Sequence, residues 1–219
     1  MTDNIDTKEN TRLRVLKSAC DIFAEKGYDN TTVQEICEKA GANVASVNYY
    51  FRNKETLYEE TWNHAYTLAN SAYPPFLEEE KDISPEKRLH TYINAMIRRT
   101  LDGGEASYFS KFMIKELAKP TPALKHIVEK ILLPQTVYIE KIIKDLLGPK
   151  ATDTQVRLCL MNIISPHVLF SCNTPIRNII QSKQSPLLPD TKYLVEHIVT
   201  FVLAGINDLK KRIEENDHE

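Results

Sequence analysis

The chain has 219 residues and a formal net charge of -2, with 42% hydrophobic and 26% charged residues. Such a length accommodates one large domain, or a small and a medium one, with enough apolar side chains for a core. The charge excludes wholesale electrostatic binding of nucleic acid, so any DNA contact must come from the local placement of residues.

The sequence predicts neither a membrane segment nor an export signal. Polar residues interrupt every apolar run well before the roughly 20 residues that span a bilayer, and the polar stretch 1–10 does not resemble a signal peptide. We therefore expect a cytoplasmic protein. The cysteines are too widely spaced for a zinc motif or a disulfide framework, so we expect buried, reduced thiols, with an intersubunit disulfide through the last two left open. They are Cys20, Cys37, Cys159 and Cys172.

Helix signals dominate the sequence, which predicts an all-α fold. Only six glycines occur, and sustained alternation of β-branched residues is almost absent. Between Lys8 and about Lys26, apolar residues recur at spacings of three and four. This period predicts a first amphipathic helix, which Gly27 ends.

Two short helices follow, joined by a tight turn. Thr32 and Glu35 form a capping box, in which Thr32 accepts from the backbone of Glu35 and Glu35 reaches back. Gly41 closes this helix after about two turns, at a position where a left-handed residue is needed. Asn43 is the expected N-cap of a third helix that continues to Phe51.

A longer fourth helix begins after Asn53 and ends at the prolines that follow Tyr73. The remaining helices are expected near 85–102, 105–118, 121–147, 152–172 and 190–214, with a short one possible near 175–182. Pro134 and Pro166 should each kink or break their helix. The stretch Val156–Phe170 is apolar on nearly every face, which is typical of a helix buried on all sides.

Two short helices joined by a glycine-containing turn, with a helix packed ahead of them, form the geometry that places the second short helix in the major groove of DNA. Five residues are expected to face the bases, because amides can pair with adenine and small apolar side chains can contact the methyl group of thymine. They are Gln34, Val44, Ala45, Ser46 and Asn48. Hydroxyls and a charge suited to phosphate are expected at the DNA backbone: Thr32, Tyr49, Tyr50 and Lys54.

Over roughly residues 12–58 the chain resembles the tetracycline-repressor (TetR) family. The motifs that carry this resemblance are Ile22–Tyr28, Thr31–Val33, Ala40–Gly41, Asn48–Phe51, Asn53–Glu55 and Leu57, in this order. The resemblance implies the same base and phosphate contacts as above. Val44, Asn48 and Tyr50 depart from the commonest residues of the family, so the operator cannot be taken from a relative.

The C-terminal part resembles the CerR type of this family, through Met113–Ala118, Pro120, Pro122–Leu124 and Leu133–Gln135. The resemblance implies a domain that binds an effector and forms a homodimer through its last two long helices. The composition of the helices near 152–172 and 190–214 supports this dimer, because both helices are more apolar than one layer of a small domain requires. We expect a DNA-binding domain over 1–58, a linking helix to about 73, and an effector-binding and dimerisation domain over 74–219.

Aromatic and polar residues on inward-facing helices are candidates for an effector pocket, although core packing is the alternative for each: Phe109, Phe112, Met113, Glu116, Tyr138, His167 and Phe170. A metal site is the sharper alternative, since five potential ligands occur: His90, His126, Cys159, His167 and Cys172. No two of them have the helical spacing that places ligands on one face, so we expect no metal and no cofactor.

The sequence therefore predicts a ligand-responsive transcriptional regulator that binds double-stranded DNA. The usual mode of the family implies a repressor that a small molecule releases from an inverted-repeat operator. The alternative is an all-helical carrier or enzyme that does not bind DNA. A nucleophile elbow and a phosphate-binding glycine loop are absent from the sequence, which disfavours an enzyme.

Overall fold

The computed structural model of the chain describes residues 3–76, 82–172 and 190–215, and the side chains within these ranges except those of 3–9 and 172. Every regular element in these ranges is helical, which confirms the all-α fold class. The helices are α1 (Asp3–Lys26), α2 (Val33–Ala40), α3 (Val44–Phe51), α4 (Lys54–Ala72), α5 (Pro85–Leu101), α6 (Tyr108–Ala118), α7 (Leu124–Ile127), α8 (Leu133–Leu147), α9 (Asp153–Cys172) and α10 (Thr191–Glu215). The short helix considered near 175–182 lies outside the described residues.

The predicted N-caps of the N-terminal helices are confirmed. Thr32 Oγ1 accepts from the N–H of Glu35 at 3.2 Å, and Asn43 Oδ1 accepts from the N–H of Ser46 at 2.8 Å. These bonds satisfy backbone donors that a helix start leaves without intrahelical partners. The return bond expected from Glu35 is not formed, because its carboxylate pairs with Lys26 instead.

The turn between α2 and α3 depends on Gly41. Its φ of 59° is left-handed, and the N–H groups of Gly41 and Ala42 donate to the carbonyls of Glu38 and Cys37. These bonds close the end of α2, as such C-caps do. Only two residues then separate the glycine from Val44, where α3 begins.

The structure divides one of the two proline-containing helices. The expected helix over 121–147 changes to a π-helical turn, Val128–Leu132, directly before α8, and Pro134 is the second residue of α8. Pro166 lies inside α9, which runs through it without a break. A kink at Pro166 stays a prediction.

The described helices form two compact units, each with its own apolar core. The first unit is 1–69 with 103–132, and the second is 70–102 with 133–219. The core of the first contains Phe23, Trp62 and Phe112; that of the second contains Ile93 and Ile143. The predicted domain bounds stay a prediction, but in the packing α6 and α7 belong with the N-terminal helices.

Within the second unit of a single chain, α9 is buried on one side only, so the chain's own core does not supply the expected burial on all sides. Ile163 is completely buried, while Met161 and Leu169 are 60% and 57% exposed. Phe201 of α10 is also exposed, by 77%. An apolar sequence alone does not distinguish burial in the chain's own core from an apolar surface.

We expect Gly41→Ala to destabilise the protein by about 1 kcal/mol, since an L-residue pays roughly that cost in the left-handed region. A Cβ at this position would meet no atom within 4 Å, so the loss of stability reports only the cost of the left-handed backbone conformation. Urea unfolding measures it. The control is Gly103→Ala, which also enters open space but without a positive φ. Equal stabilities for the two variants would contradict the assignment.

Candidate nucleic-acid interface

The orientation of α3 follows from two of its side chains. Val47 and Phe51 are spaced by one helical turn and are 0% and 1% exposed in the core of the first unit. Because residues one turn apart share a face, the opposite face of α3 must point to solvent. Ala45, Asn48 and Tyr49 are exposed, and Val44, which begins the helix one turn before Val47, is 45% exposed.

The residues predicted to contact bases differ in whether their side chains already form hydrogen bonds within the protein. The side-chain amide of Asn48 is exposed and has no hydrogen-bond partner among the described residues. Gln34 is exposed on α2, where its amide nitrogen donates to Glu38 at 3.0 Å. Ser46 is half-buried, and its hydroxyl donates to Asn43 Oδ1 at 3.0 Å. Part of its hydrogen-bonding capacity therefore serves the helix cap, which the sequence pattern did not predict.

The four residues predicted to contact phosphate lie at the ends of the short helices. Thr32 and Tyr49 are exposed, and Tyr49 stacks edge-on against Tyr50 with 5.0 Å between ring centroids. Lys54 Nζ lies 4.4 Å from the ring centroid of Tyr28, a cation–π geometry. Burial lowers the pKa of Lys54 from its ordinary value.

Two arginines of α1 connect the elements around α3, and sequence reasoning missed their role. Arg12 pairs with Glu60 at 3.0 Å and lies over the ring of Phe51, 5.1 Å from its centroid. Arg14 Nε donates to the backbone carbonyl of Ala40 at 3.2 Å. The residues joined are 26 to 48 positions apart, so no local pattern could have indicated these contacts.

Four of the predicted effector residues, those on α6, lie in the core of the first unit. Phe109 and Phe112 each pack against Trp62, with 5.6 Å between ring centroids. Met113 is partly buried against the same core. Glu116 is 4% exposed.

The buried carboxylate of Glu116 is satisfied within this unit. It accepts from the hydroxyl of Tyr58 at 3.2 Å and from the backbone N–H of Thr121 at 2.7 Å. A buried charge is costly unless such donors surround it. Glu116 thereby connects α4 to the loop after α6.

Further polar contacts connect α6 to the end of α1. Lys115 Nζ donates to the carbonyl of Glu25 at 2.9 Å, and Lys119 pairs with Asp29 at 2.6 Å. The hydroxyl of Tyr108 donates to the carboxylate of Asp21, and burial raises the pKa of Tyr108. A displacement of α6 must therefore either break these contacts or move α1 with it.

The remaining predicted effector residues, Tyr138, His167 and Phe170, lie in the second unit. Tyr138 packs edge-on against Phe76, with 4.6 Å between ring centroids, and Phe170 is partly buried against the core. His167 is buried and its Nδ1 shares a hydrogen bond with the hydroxyl of Thr100.

Burial lowers the pKa of His167 to about 4, and the charge of Arg99 contributes in the same direction. Arg99 is itself buried and donates to Asn70 at 2.6 Å and to the carbonyl of Tyr73 at 2.7 Å. His167 is therefore neutral at pH 7 and offers one ring nitrogen as an acceptor.

In the described ranges, no group of three or more His, Cys, Asp or Glu side chains has the geometry of a metal site. Cys20, Cys37 and Cys159 are buried, free thiols. Among the helices that the structure describes, none combines the length and apolar character of a membrane span.

The described parts of the chain are all-helical, and the first unit exposes one face of a short, capped helix after a glycine turn, which is the arrangement of a helix-turn-helix protein. Comparison with protein families agrees. Residues 15–61 match the model of bacterial regulatory proteins of the tetR family, and residues 85–206, more than half of the chain, match that of the "HTH-type transcriptional dual regulator CecR, C-terminal domain". The chain therefore belongs to the TetR family and has a CecR-type C-terminal domain, which confirms both resemblances seen in the sequence.

Curated relatives are transcription regulators rather than enzymes. The dual regulator CecR of Shigella flexneri is 27% identical over 68% of this chain and 70% of its own length. The probable regulator YttP of Bacillus subtilis is 24% identical over 63% of this chain and 65% of its own length. IcaR of Staphylococcus aureus, a negative regulator of a biofilm operon, is 31% identical over 26% of this chain and 31% of its own length.

Solved structures share the fold. HlyIIR, a hemolysin II transcriptional regulator, has a TM-score of 0.60 and 24% identity, covering 88% of this chain and 97% of its own. FadR from Bacillus subtilis, solved with stearoyl-CoA, has a TM-score of 0.61 and 16% identity, covering 89% and 98%. Together with the family match, these similarities confirm a DNA-binding transcriptional regulator.

We expect the free energy of unfolding to fall as pH decreases from 6.5 towards 4. In this window the unfolded chain protonates His167 while the folded chain, with a pKa of about 4, does not. The loss attributable to His167 is up to about 3 kcal/mol. Urea unfolding at fixed protein concentration between pH 4.5 and 7 measures it, and His167→Gln should flatten the profile. His90→Gln, which removes a half-exposed imidazole from α5, is the control; identical profiles for the two variants would contradict this prediction.

Proposed function

We propose that the protein is a homodimeric repressor that binds an inverted-repeat operator through α2 and α3 and is released by a small molecule. The observation that carries the proposal is the exposed face of α3, which Val47 and Phe51 orient by their burial. As a regulator, it is expected to act on chromosomal DNA in the cytoplasm.

The residue types on this face suit base contacts in the major groove. Asn48 is exposed and unpaired among the described residues, and an amide can pair with adenine through two hydrogen bonds. Val44 is 45% exposed and offers methyl groups to thymine. Gln34 and Ala45 extend this surface, and Ser46 contributes through the oxygen that its bond to Asn43 leaves free.

Phosphate contacts would fix the position of the protein on the duplex. The hydroxyls of Thr32, Tyr49 and Tyr50 and the ammonium of Lys54 lie at the ends of α2–α4. Lys54 is partly buried against Tyr28, which leaves it fewer conformations than a free lysine. A cation positioned in this way loses less entropy when it binds a phosphate.

The second unit supplies a surface for a second copy of the chain. Met161, Leu169 and Phe201, here called the α9–α10 face, are each more than half exposed and border an open apolar groove. Contiguous apolar surface of this kind is typical of an interface. Two copies joined there would present two recognition helices to the two halves of an inverted repeat.

An effector would act on DNA affinity by changing the spacing of these two helices. The effector residues of α6 and those of the second unit are candidates for its recognition, with His167 available as an acceptor. The names of the relatives include a dual and a negative regulator. We infer repression for this chain, and transcription of a target with and without the protein tests the sign.

We expect Asn48→Ala to lose preference for the operator without losing stability. The operator is obtained by selecting duplexes from a random library with the wild-type protein, and affinities are measured by fluorescence anisotropy. Removal of a bidentate amide should weaken operator binding roughly 5- to 100-fold, with little effect on a mixed-sequence duplex. The control is Asn63→Ala, which removes the same amide from α4. If no duplex shows preferred, salt-sensitive binding to the wild type, the proposal fails and the carrier alternative is favoured.

We expect Phe201→Glu to yield a monomer with weakened operator binding. In a single chain the position is 77% exposed and tolerates a charge, whereas in the proposed dimer each buried carboxylate would cost about 3–5 kcal/mol. Sedimentation velocity measures the oligomeric state. Tyr193→Glu is the control, because Tyr193 is also exposed on α10, by 65%, but does not line the groove. A Phe201→Glu dimer as stable as the wild type would refute this interface.

A further inference from the structure

Arg52, the residue between α3 and α4, has a backbone conformation that is unusual for an arginine. Its φ is 65° and its ψ is -52°, and within 3–76, 82–172 and 190–215 it is the one non-glycine residue with a positive φ. Across it, the N–H of Asn53 donates to the carbonyl of Phe51 at 2.7 Å. This bond defines a γ-turn of the positive-φ kind, which is rare and strained.

A glycine would adopt this conformation at lower cost, because it has no Cβ to clash with the backbone. The chain uses glycine at its other positive-φ positions, Gly27, Gly41 and Gly148. Strained residues of this kind are concentrated at functional sites. The side chain of Arg52 should therefore make a contribution that offsets the strain, and packing is not that contribution, since the residue is exposed.

The guanidinium of Arg52 also differs from most cationic side chains of the first unit, because it has no partner among the described residues. Between 10 and 69, five basic side chains are engaged by carboxylates, carbonyls or aromatic rings: Arg12, Arg14, Lys26, Lys39 and Lys54. In the same range only Lys17, on α1, shares the exposed and unpaired state of Arg52. A free guanidinium is available to bind an external anion.

The position of Arg52 relates it to the base-contacting face. Its N–H donates to the carbonyl of Asn48 at 3.1 Å, so it lies one helical turn beyond that residue at the end of α3. It is also two residues before Lys54. The anion that borders bases in a major groove is the backbone phosphate, and arginine binds phosphate through two parallel N–H donors.

We propose that Arg52 binds a DNA backbone phosphate beside the bases that α3 contacts and so positions the recognition helix. The inference rests on the proposed function of α3 and adds a residue that neither the sequence motifs nor the predicted phosphate set contains. A phosphate contact positions the protein without selecting a sequence. Its loss should weaken binding to all duplexes alike and reduce the salt dependence of binding.

Three substitutions distinguish the effect of the Arg52 charge on DNA binding from the effect of its strained backbone. Arg52→Gly removes both, Arg52→Asn removes the cation at a residue type that tolerates positive φ, and Arg52→Lys retains the charge. Affinities are measured by anisotropy on the selected operator and on a 30-base-pair mixed-sequence duplex, over a series of salt concentrations. Melting temperatures are measured in parallel.

We expect Arg52→Gly to melt at or above the temperature of the wild type and yet to bind both duplexes roughly tenfold more weakly at low salt. The slope of log affinity against log salt should become less steep by about 0.9 for each subunit in contact with DNA. Arg52→Asn should behave likewise, and Arg52→Lys should retain the slope. Lys17→Ala, which removes the other unpaired cation, should leave affinity and slope unchanged.

The outcomes distinguish this inference from the proposed function. Arg52→Gly with wild-type affinity and slope would overturn the role of Arg52 while leaving the recognition helix intact. Loss of affinity in all three variants in proportion to lowered melting temperatures would also overturn it, because the role would then be structural. A wild-type protein that binds neither duplex would overturn the proposed function itself, and this inference with it.

Discussion

The burial of Val47 and Phe51 is the interaction on which the arrangement of the recognition helix depends. A helix of eight residues is not stable in isolation, because forming its first turn costs more than its few hydrogen bonds return. Each fully buried side chain of this size contributes about 1.5–3 kcal/mol, and the guanidinium of Arg12 covers the ring of Phe51 from outside. These two side chains thereby determine which residues of α3 face solvent, and with them the candidate base contacts.

Local features of the fold could be predicted from the sequence because they depend on residues three or four positions apart. The caps at Thr32 and Asn43 and the left-handed Gly41 each involve a bond within one turn of chain. The bounds of α2 and α3 followed from them. Glu35 is the exception, because its carboxylate binds Lys26, nine residues away, instead of the backbone N–H of Thr32 that the capping box predicts.

Contacts over long sequence separations could not be predicted. The spacing of Phe109, Phe112 and Glu116 indicates an inward-facing helix, but not that their neighbours are Trp62 and Tyr58 in the core of the first unit. The sequence does not specify which apolar surface an amphipathic helix meets. The same ambiguity made α9 look buried on all sides, although an apolar face against a second subunit has the same composition as one in a core.

The contacts of α6 bear on how an effector could change DNA affinity. They end on α1, on Asp29 just after it, and on α4, whereas the orientation of α3 depends on Val47 and Phe51. A force applied to α6 would therefore be transmitted to the framework of the DNA-binding unit rather than to its recognition face. If packed side chains move together because cores resist deformation, the unit would shift as one body with its base contacts intact. In the proposed dimer, regulation would then act on the distance between two intact recognition helices, not on the shape of either one.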